Sequence, residues 1–148
     1  MKFGFDLLRK MTIPIPSEEQ VLLVPRSQIW TRQWEDVLLV FTDKGIHFRV
    51  KKSHLINFEA GEHSLADNTF LAYDRIAAFK RGSGLWSKTY IITMVDKLSL
   101  RFFFKDIDQV GDILTQRVRL DQPRDLRPYK YSSHHPETGD YKEVGMGG

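Results

Sequence analysis

Hydrophobic positions change their period twice along this chain. In residues 1–11, Phe3, Leu7 and Met11 recur at i, i+4, with Phe5 and Leu8 beside them and Lys2, Asp6, Arg9 and Lys10 as the polar remainder. That spacing predicts a short amphipathic helix. Ile13-Pro14-Ile15-Pro16 comes next. Proline fixes its own φ and pushes the residue before it to extended backbone. The segment is therefore expected to be an extended linker, with residues 1–18 as an arm ahead of the domain.

From residue 20 the pattern is that of strands. Val21 to Val24 is a short apolar run, and Val37 to Phe41 and Ile46 to Val50 flank Thr42-Asp43-Lys44-Gly45. This reads as a tight hairpin in which Gly45 is free to take positive φ. His54 to Glu59 alternates less clearly, and Thr69 to Tyr73 with Ile76 to Phe79 predicts a strand pair or one kinked strand. Tyr90 to Val95 and Leu98 to Phe104 flank Asp96-Lys97 as a second hairpin. Leu98, Leu100, Phe102 and Phe104 share one face at period 2, with Ser99 and Arg101 opposite, as in a half-buried antiparallel strand.

The period then lengthens. Ile107, Val110, Gly111, Leu114 and Val118 form an apolar stripe, which predicts a helix from Asp106 to about Leu120. Asp106 is placed as an N-cap with Gln109 three residues on. Asp108 in the first turn and Arg117 and Arg119 in the last suit the helix dipole. Gly111 costs about 0.8–1 kcal/mol against Ala inside a helix, a cost that a close approach to the sheet would explain. After Leu120 the pattern stops. Residues 121–148 hold three Pro, four Gly, paired Ser and His, and little apolar material, so alone they are expected to stay disordered.

Composition adds limits. One domain fits 148 residues. The absence of Cys excludes disulfides, thiolate catalysis and Cys-based zinc sites, and suits the cytoplasm. Residues 21–120 carry 15 basic and 11 acidic groups, an excess that permits an anionic membrane or acidic protein partner without requiring one. No run of about 18 apolar residues exists, so no membrane-spanning helix is expected, and the N-terminus lacks the uninterrupted apolar stretch of a signal peptide.

Candidate chemistry is sparse. Lys80-Arg81-Gly82-Ser83-Gly84-Leu85-Trp86-Ser87-Lys88 offers cations and an aromatic on a Gly-Ser-Gly tip. It suits anionic headgroups and shallow membrane insertion, or else is a solvated loop with Trp86 packed at the sheet end. It is neither a dinucleotide fingerprint nor a P-loop. Arg49, Lys51, Lys52 and His54 form a basic stretch at a strand end, readable as a lipid contact or as a solvated edge. In Arg101-Phe102-Phe103-Phe104-Lys105, alternation sends Phe102 and Phe104 into the core, so base stacking and nucleic acid are not expected. Trp30, Arg32 and Trp34 are either interface anchors or a loop packed over the barrel mouth. The histidines match no zinc motif, and no Gly-x-Ser-x-Gly elbow or visible acid–base pair is present. Catalytic residues, a metal, a cofactor and a small-molecule substrate are therefore not expected.

About seven strands followed by one capping helix resembles the pleckstrin-homology superfold. The wording is similar to its GRAM-type and bacterial members. The segments that carry the resemblance are Glu19 to Arg26, Asp36 to Val50, Phe70 to Gly82, Trp86 to Met94 and Leu100 to Val118. It implies a mostly β antiparallel barrel or bent sandwich over residues 19–120, closed by the helix, with 121–148 as a second extended arm. It also implies a binding module rather than an enzyme. The basic pattern of inositide-binding members is not met, since the first hairpin offers only Arg26 and Arg32.

The resulting expectation is an accessory subunit that holds a protein partner through the domain and its arms, with Phe3, Phe5, Leu7, Trp30, Arg32, Trp34, Tyr129, Tyr131 and Tyr141 as interface candidates. The alternative is a peripheral membrane module that binds anionic lipid through the Lys80 to Lys88 loop and the N-terminal amphipathic segment. Its candidates are Lys80, Arg81, Trp86, Lys88, Arg49 and Lys51.

Overall fold

A computed structural model describes residues 10–52, 54–58, 61–127, 131 and 139–146. Twelve strands are present among them: β1 (Ile13–Pro16), β2 (Val21–Leu23), β3 (Ser27–Trp30), β4 (Trp34–Thr42), β5 (Gly45–Val50), β6 (Leu55–Phe58), β7 (Gly61–Ser64), β8 (Thr69–Ala72), β9 (Ile76–Arg81), β10 (Thr89–Met94), β11 (Ser99–Phe104) and β12 (Tyr141–Val144). One α-helix, α1 (Ile107–Arg117), follows β11.

The main sheet is antiparallel and runs β8-β5-β4-β3-β11-β10-β9, with β2 paired to β4. It curls into a nearly closed barrel. Period 2 decides its inside. Ile29, Val37, Leu39, Phe41, Ile46, Phe48, Leu71, Ile92, Phe102 and Phe104 are all fully buried and form one core cluster. α1 lays Ile107, Val110 and Leu114 on this core. The expected mostly β barrel closed by a C-terminal helix is therefore present. Both expected hairpins form, but Gly45 does not take positive φ; a Cβ there would instead lie 2.4 Å from Leu71 O of the neighbouring strand. In the second, Lys97 takes the left-handed conformation (φ 73°), and Leu98 N–H bonds to Asp96 Oδ1.

Several local expectations need correction. The helix stops at Arg117 rather than near Leu120, because Val118 turns to extended backbone and buries its side chain in the core. Asp106 makes no side-chain cap bond. Thr69 to Tyr73 and Ile76 to Phe79 are neither a pair nor one strand. A 3₁₀ turn at Tyr73–Arg75 sends them to opposite edges of the sheet. That turn is pinned by Tyr73, whose hydroxyl donates to Thr42 O at 2.6 Å, and by buried Arg75, which donates to Arg127 O.

Ile13–Pro16 is a strand rather than a spacer. β1 pairs with β12 in register Ile13↔Val144 to Pro16↔Tyr141. The ribbon lies across the outer face of β4, where Ile13 and Ile15 meet Leu38 and Val40 in a second apolar cluster. In the described residues the two extended segments, 13–16 and 141–144, are not free arms: they pair with each other and pack on the barrel. Tyr131 belongs to the inner core and is 1% exposed. The expected N-terminal helix lies outside the described residues but for Lys10 and Met11.

Gly111 has a clear neighbour. A Cβ there would sit 2.7 Å from the Tyr90 hydroxyl and 3.7 Å from the ring carbon that bears it. Gly111→Ala alone is therefore expected to give no stability gain in urea titration. In a Tyr90→Phe background the same change should recover up to about 1 kcal/mol of helix propensity. Equal effects in both backgrounds would show that the hydroxyl is not the constraint.

Candidate functional site

Outward positions of the sheet alternate with the core positions just described. On β3 these are Gln28 and Trp30, on β4 Trp34 and Asp36, and on β11 Arg101 and Phe103. The β3–β4 hairpin places Trp30 directly across from Trp34. Phe103 stands between Thr89 of β10 and Gln28 of β3.

The loop after β9 folds back to this face. Thr89 Oγ1 donates to Trp86 O at 2.7 Å, Gly82 N–H to Thr89 O at 3.0 Å, and Trp86 N–H to Ser83 O at 3.0 Å. A Cβ on Gly82 would lie 2.3 Å from Trp86 O, and Gly84 has φ +59°. Glycine at these two positions lets the loop close. Far from being a loose tip, the segment is a hydrogen-bonded turn that presents Leu85 and lays the Trp86 ring beside the other two indoles.

The result is a contiguous aromatic shelf. Ring centroids are 5.3 Å apart for Trp30 and Trp34, 6.3 Å for Trp30 and Trp86, 6.0 Å for Trp34 and Trp86, and 6.2 Å for Trp34 and Phe103. These spacings lie in the range of favourable aromatic pairs. The Arg101 guanidinium carbon stands 4.6 Å above the Trp86 ring, a cation–π distance. Trp30 is 42% exposed, Trp86 40%, and Leu85 has its whole side chain in solvent. Gln28, Trp34, Leu85, Trp86, Thr89 and Phe103 line a hollow of about 340 Å³.

Two candidate sites that are separate in the sequence are thus one. Trp30 and Trp34 stand on the outer face of strands rather than on a loop over the barrel mouth. Arg32 is exposed in the hairpin turn, and Lys88 is exposed beside Trp86. Lys80 is exposed on the same sheet face, across Ile91 from Arg101. Arg81 is turned away, with Nε on Ser87 O at 2.9 Å and Nη1 on Asp108 at 3.1 Å. Arg49 and Lys51 stand on the β5 side of β4. Arg49 lies opposite Leu38 and donates Nε to Ala66 O, and Lys51 is exposed at the bend beyond β5.

The tail candidates fare differently. Tyr131 is buried in the core and is no surface anchor, because an aromatic in a polar segment still gains most from the apolar interior. Tyr141 is part of β12. Phe3, Phe5, Leu7 and Tyr129 lie outside the described residues. Sequence reasoning missed Phe103 and Arg101 as surface partners. The signal was available, since alternation that sends Phe102 and Phe104 inward sends these two outward.

The three described histidines each have a side-chain partner. His47 Nε2 lies 2.9 Å from Glu19 Oε1, and the Thr42 hydroxyl donates to the same oxygen at 2.7 Å. Burial pushes the Glu19 carboxyl up, but its bonds to His47 and Thr42 together hold it below the ordinary value. His54 pairs with Glu35 at 2.8 Å, and His63 with Thr69 at 2.8 Å. Burial pushes His63 down. Among the described residues no three of His, Asp and Glu gather as a metal site, and no helix is long and apolar enough to cross a membrane.

No family model and no curated protein sequence matches the chain. Among solved structures, the chain is similar to the C-terminal domain of an unknown protein from Leishmania infantum, at 12% identity and TM-score 0.53, over 68% of this chain and 84% of that one. At this identity the likeness is one of fold alone.

Proposed function

We propose that this protein is a non-catalytic binding module that docks through the aromatic shelf. The observation that carries the reading is the exposure of Trp30 and Trp86 at 42% and 40%, beside a Leu85 wholly in solvent. Exposed aromatic patches rimmed by polar groups mark interaction sites, and tryptophan and arginine are the favoured anchors of such contacts. The resemblance of the strands to the pleckstrin-homology superfold supports the same class, since its members work by binding. Among the described residues, the histidine–carboxylate–hydroxyl cluster of Glu19, Thr42 and His47 is 8%, 0% and 3% exposed, which suits a structural joint.

The shelf, rather than free terminal arms, is the docking element of this reading. Residues 13–16 and 141–144 already hold each other. A photoreactive amino acid in place of Leu85 tests the proposal in cells. It should capture a macromolecule, protein or lipid, well above the level captured from Lys97, which sits at the other end of β10. Equal capture from both positions would overturn the reading.

A further inference from the structure

Resting on that docking reading, we infer that the partner of the shelf is the interfacial zone of an anionic bilayer, with Leu85 and Trp86 entering it and Lys80, Lys88, Arg32 and Arg101 on its charged groups.

Shape is the first argument. Leu85 stands on a tip where a Cβ on the preceding Gly84 would find nothing within 4 Å. Its side chain is fully in solvent, although the turn beneath it is tied by Thr89, Gly82 and Ser83. A rigid turn thus holds an apolar group outward as a projection. A protein partner would need a pocket cut to this projection, whereas a fluid interface adapts to it.

Ring chemistry is the second argument. Indoles combine an apolar body with a polar N–H and concentrate at the headgroup level of membranes. Three of them, all the tryptophans of the chain, gather here within 6.3 Å of one another.

Charge is the third. Lys80 and Arg101 flank Ile91 on the outer face of β9, β10 and β11, Lys88 follows Trp86, and Arg32 tips the β3–β4 hairpin. The carboxylate of that face, Asp36, already accepts from Gln28 at 3.1 Å. Cations at such positions are drawn to the negative surface of anionic leaflets. The same cations oppose a second copy of this chain on the shelf, where like charges would meet.

The test is co-sedimentation of the full chain with vesicles of phosphatidylcholine, with and without phosphatidylserine and free of inositides, at low salt. Binding is expected only with phosphatidylserine, should fall as salt rises, and should shift tryptophan emission to the blue. Leu85→Ser should weaken partitioning by at least about tenfold, the loss for one buried leucine side chain, with unchanged far-UV circular dichroism. Lys80→Glu with Lys88→Glu should sharply weaken binding to the phosphatidylserine vesicles. Absence of binding to phosphatidylserine vesicles, or undiminished binding by Leu85→Ser, would overturn the inference. If vesicles fail while the photoreactive Leu85 variant captures a protein, the lipid assignment falls and the docking reading stands. If both fail, both fall.

Discussion

Ile15→Asp is expected to release the β1–β12 ribbon from the barrel while the barrel itself stays folded. Ile15 is fully buried with Ile13 against Leu38 and Val40. A carboxylate placed there has no partner, and an unpaired buried charge costs several kcal/mol. Undocking avoids that cost. It exposes four aliphatic side chains worth about 1.5–3 kcal/mol each when buried, but returns about 1–2 kcal/mol of backbone entropy for each residue set free. The inner core does not share those side chains, since Val37, Leu39 and Phe41 point to the other face of β4. Limited proteolysis read by mass spectrometry should show new cleavage within residues 10–20 and 139–146 and none in β4, β5, β10 or β11. An unchanged digest would mean that the ribbon tolerates the charge. Loss of protection throughout would mean that the barrel depends on it.

Glu19→Ala should cost about 2–4 kcal/mol at neutral pH, the penalty for stranding buried partners. Glu19 sits in the turn after β1. Its carboxylate takes hydrogen bonds from Thr42 and His47, and its carbonyl accepts from Lys142 Nζ at 2.7 Å. It therefore joins β4, β5 and β12 at one point. Its carboxyl titrates below the ordinary 4.5 in the folded chain. The sign follows from linkage. A depressed folded value means that the unfolded chain binds the proton more readily, so the contribution is fully present above about pH 4.5 and is lost as pH falls through the depressed value. Glu19→Gln should lower stability at neutral pH and flatten the acid limb of a urea-stability profile. Parallel profiles for the wild type and Glu19→Gln would remove Glu19 from the acid response.

The barrel was readable wherever a period repeats locally. Phe102 and Phe104 announce their own face, and the apolar residues of β4 and β5 bracket a four-residue turn. α1 shows its stripe but not its end, because Val118 is apolar at a helical spacing yet serves the core from extended backbone. β1 was hidden for another reason. Its alternation of Ile with Pro carries no mark of pairing, and its partner lies 131 positions away at Val144. The shelf was half visible. Trp30 and Trp34, and the loop around Trp86, each stood out alone. Their union depends on the register of β3 against β11 and of β11 against β10, which no local pattern records. Tyr131 shows the same limit, because its burial in the core depends on where the rest of the fold leaves space.

The clasp between β1 and β12 also sets how the molecule bears load. Ile13 pairs with Val144 at the outer end of the ribbon, and Pro16 with Tyr141 at the inner end. A pull on residues 10 and 146 therefore opens the ribbon as a zipper, with force falling on one pair at a time. Antiparallel strands drawn apart from their shared end part at low force, whereas strands sheared along their length break all their bonds together. Ser17 N–H bonds to Asp140 O at 2.9 Å, so alternation puts the bonding side of β1 at Ile13, Ile15 and Ser17, and Pro14 and Pro16, which lack N–H groups, fall between those bonds. Tension along the chain would be spent first on this clasp, with Leu38 and Val40 uncovered before the barrel begins to yield.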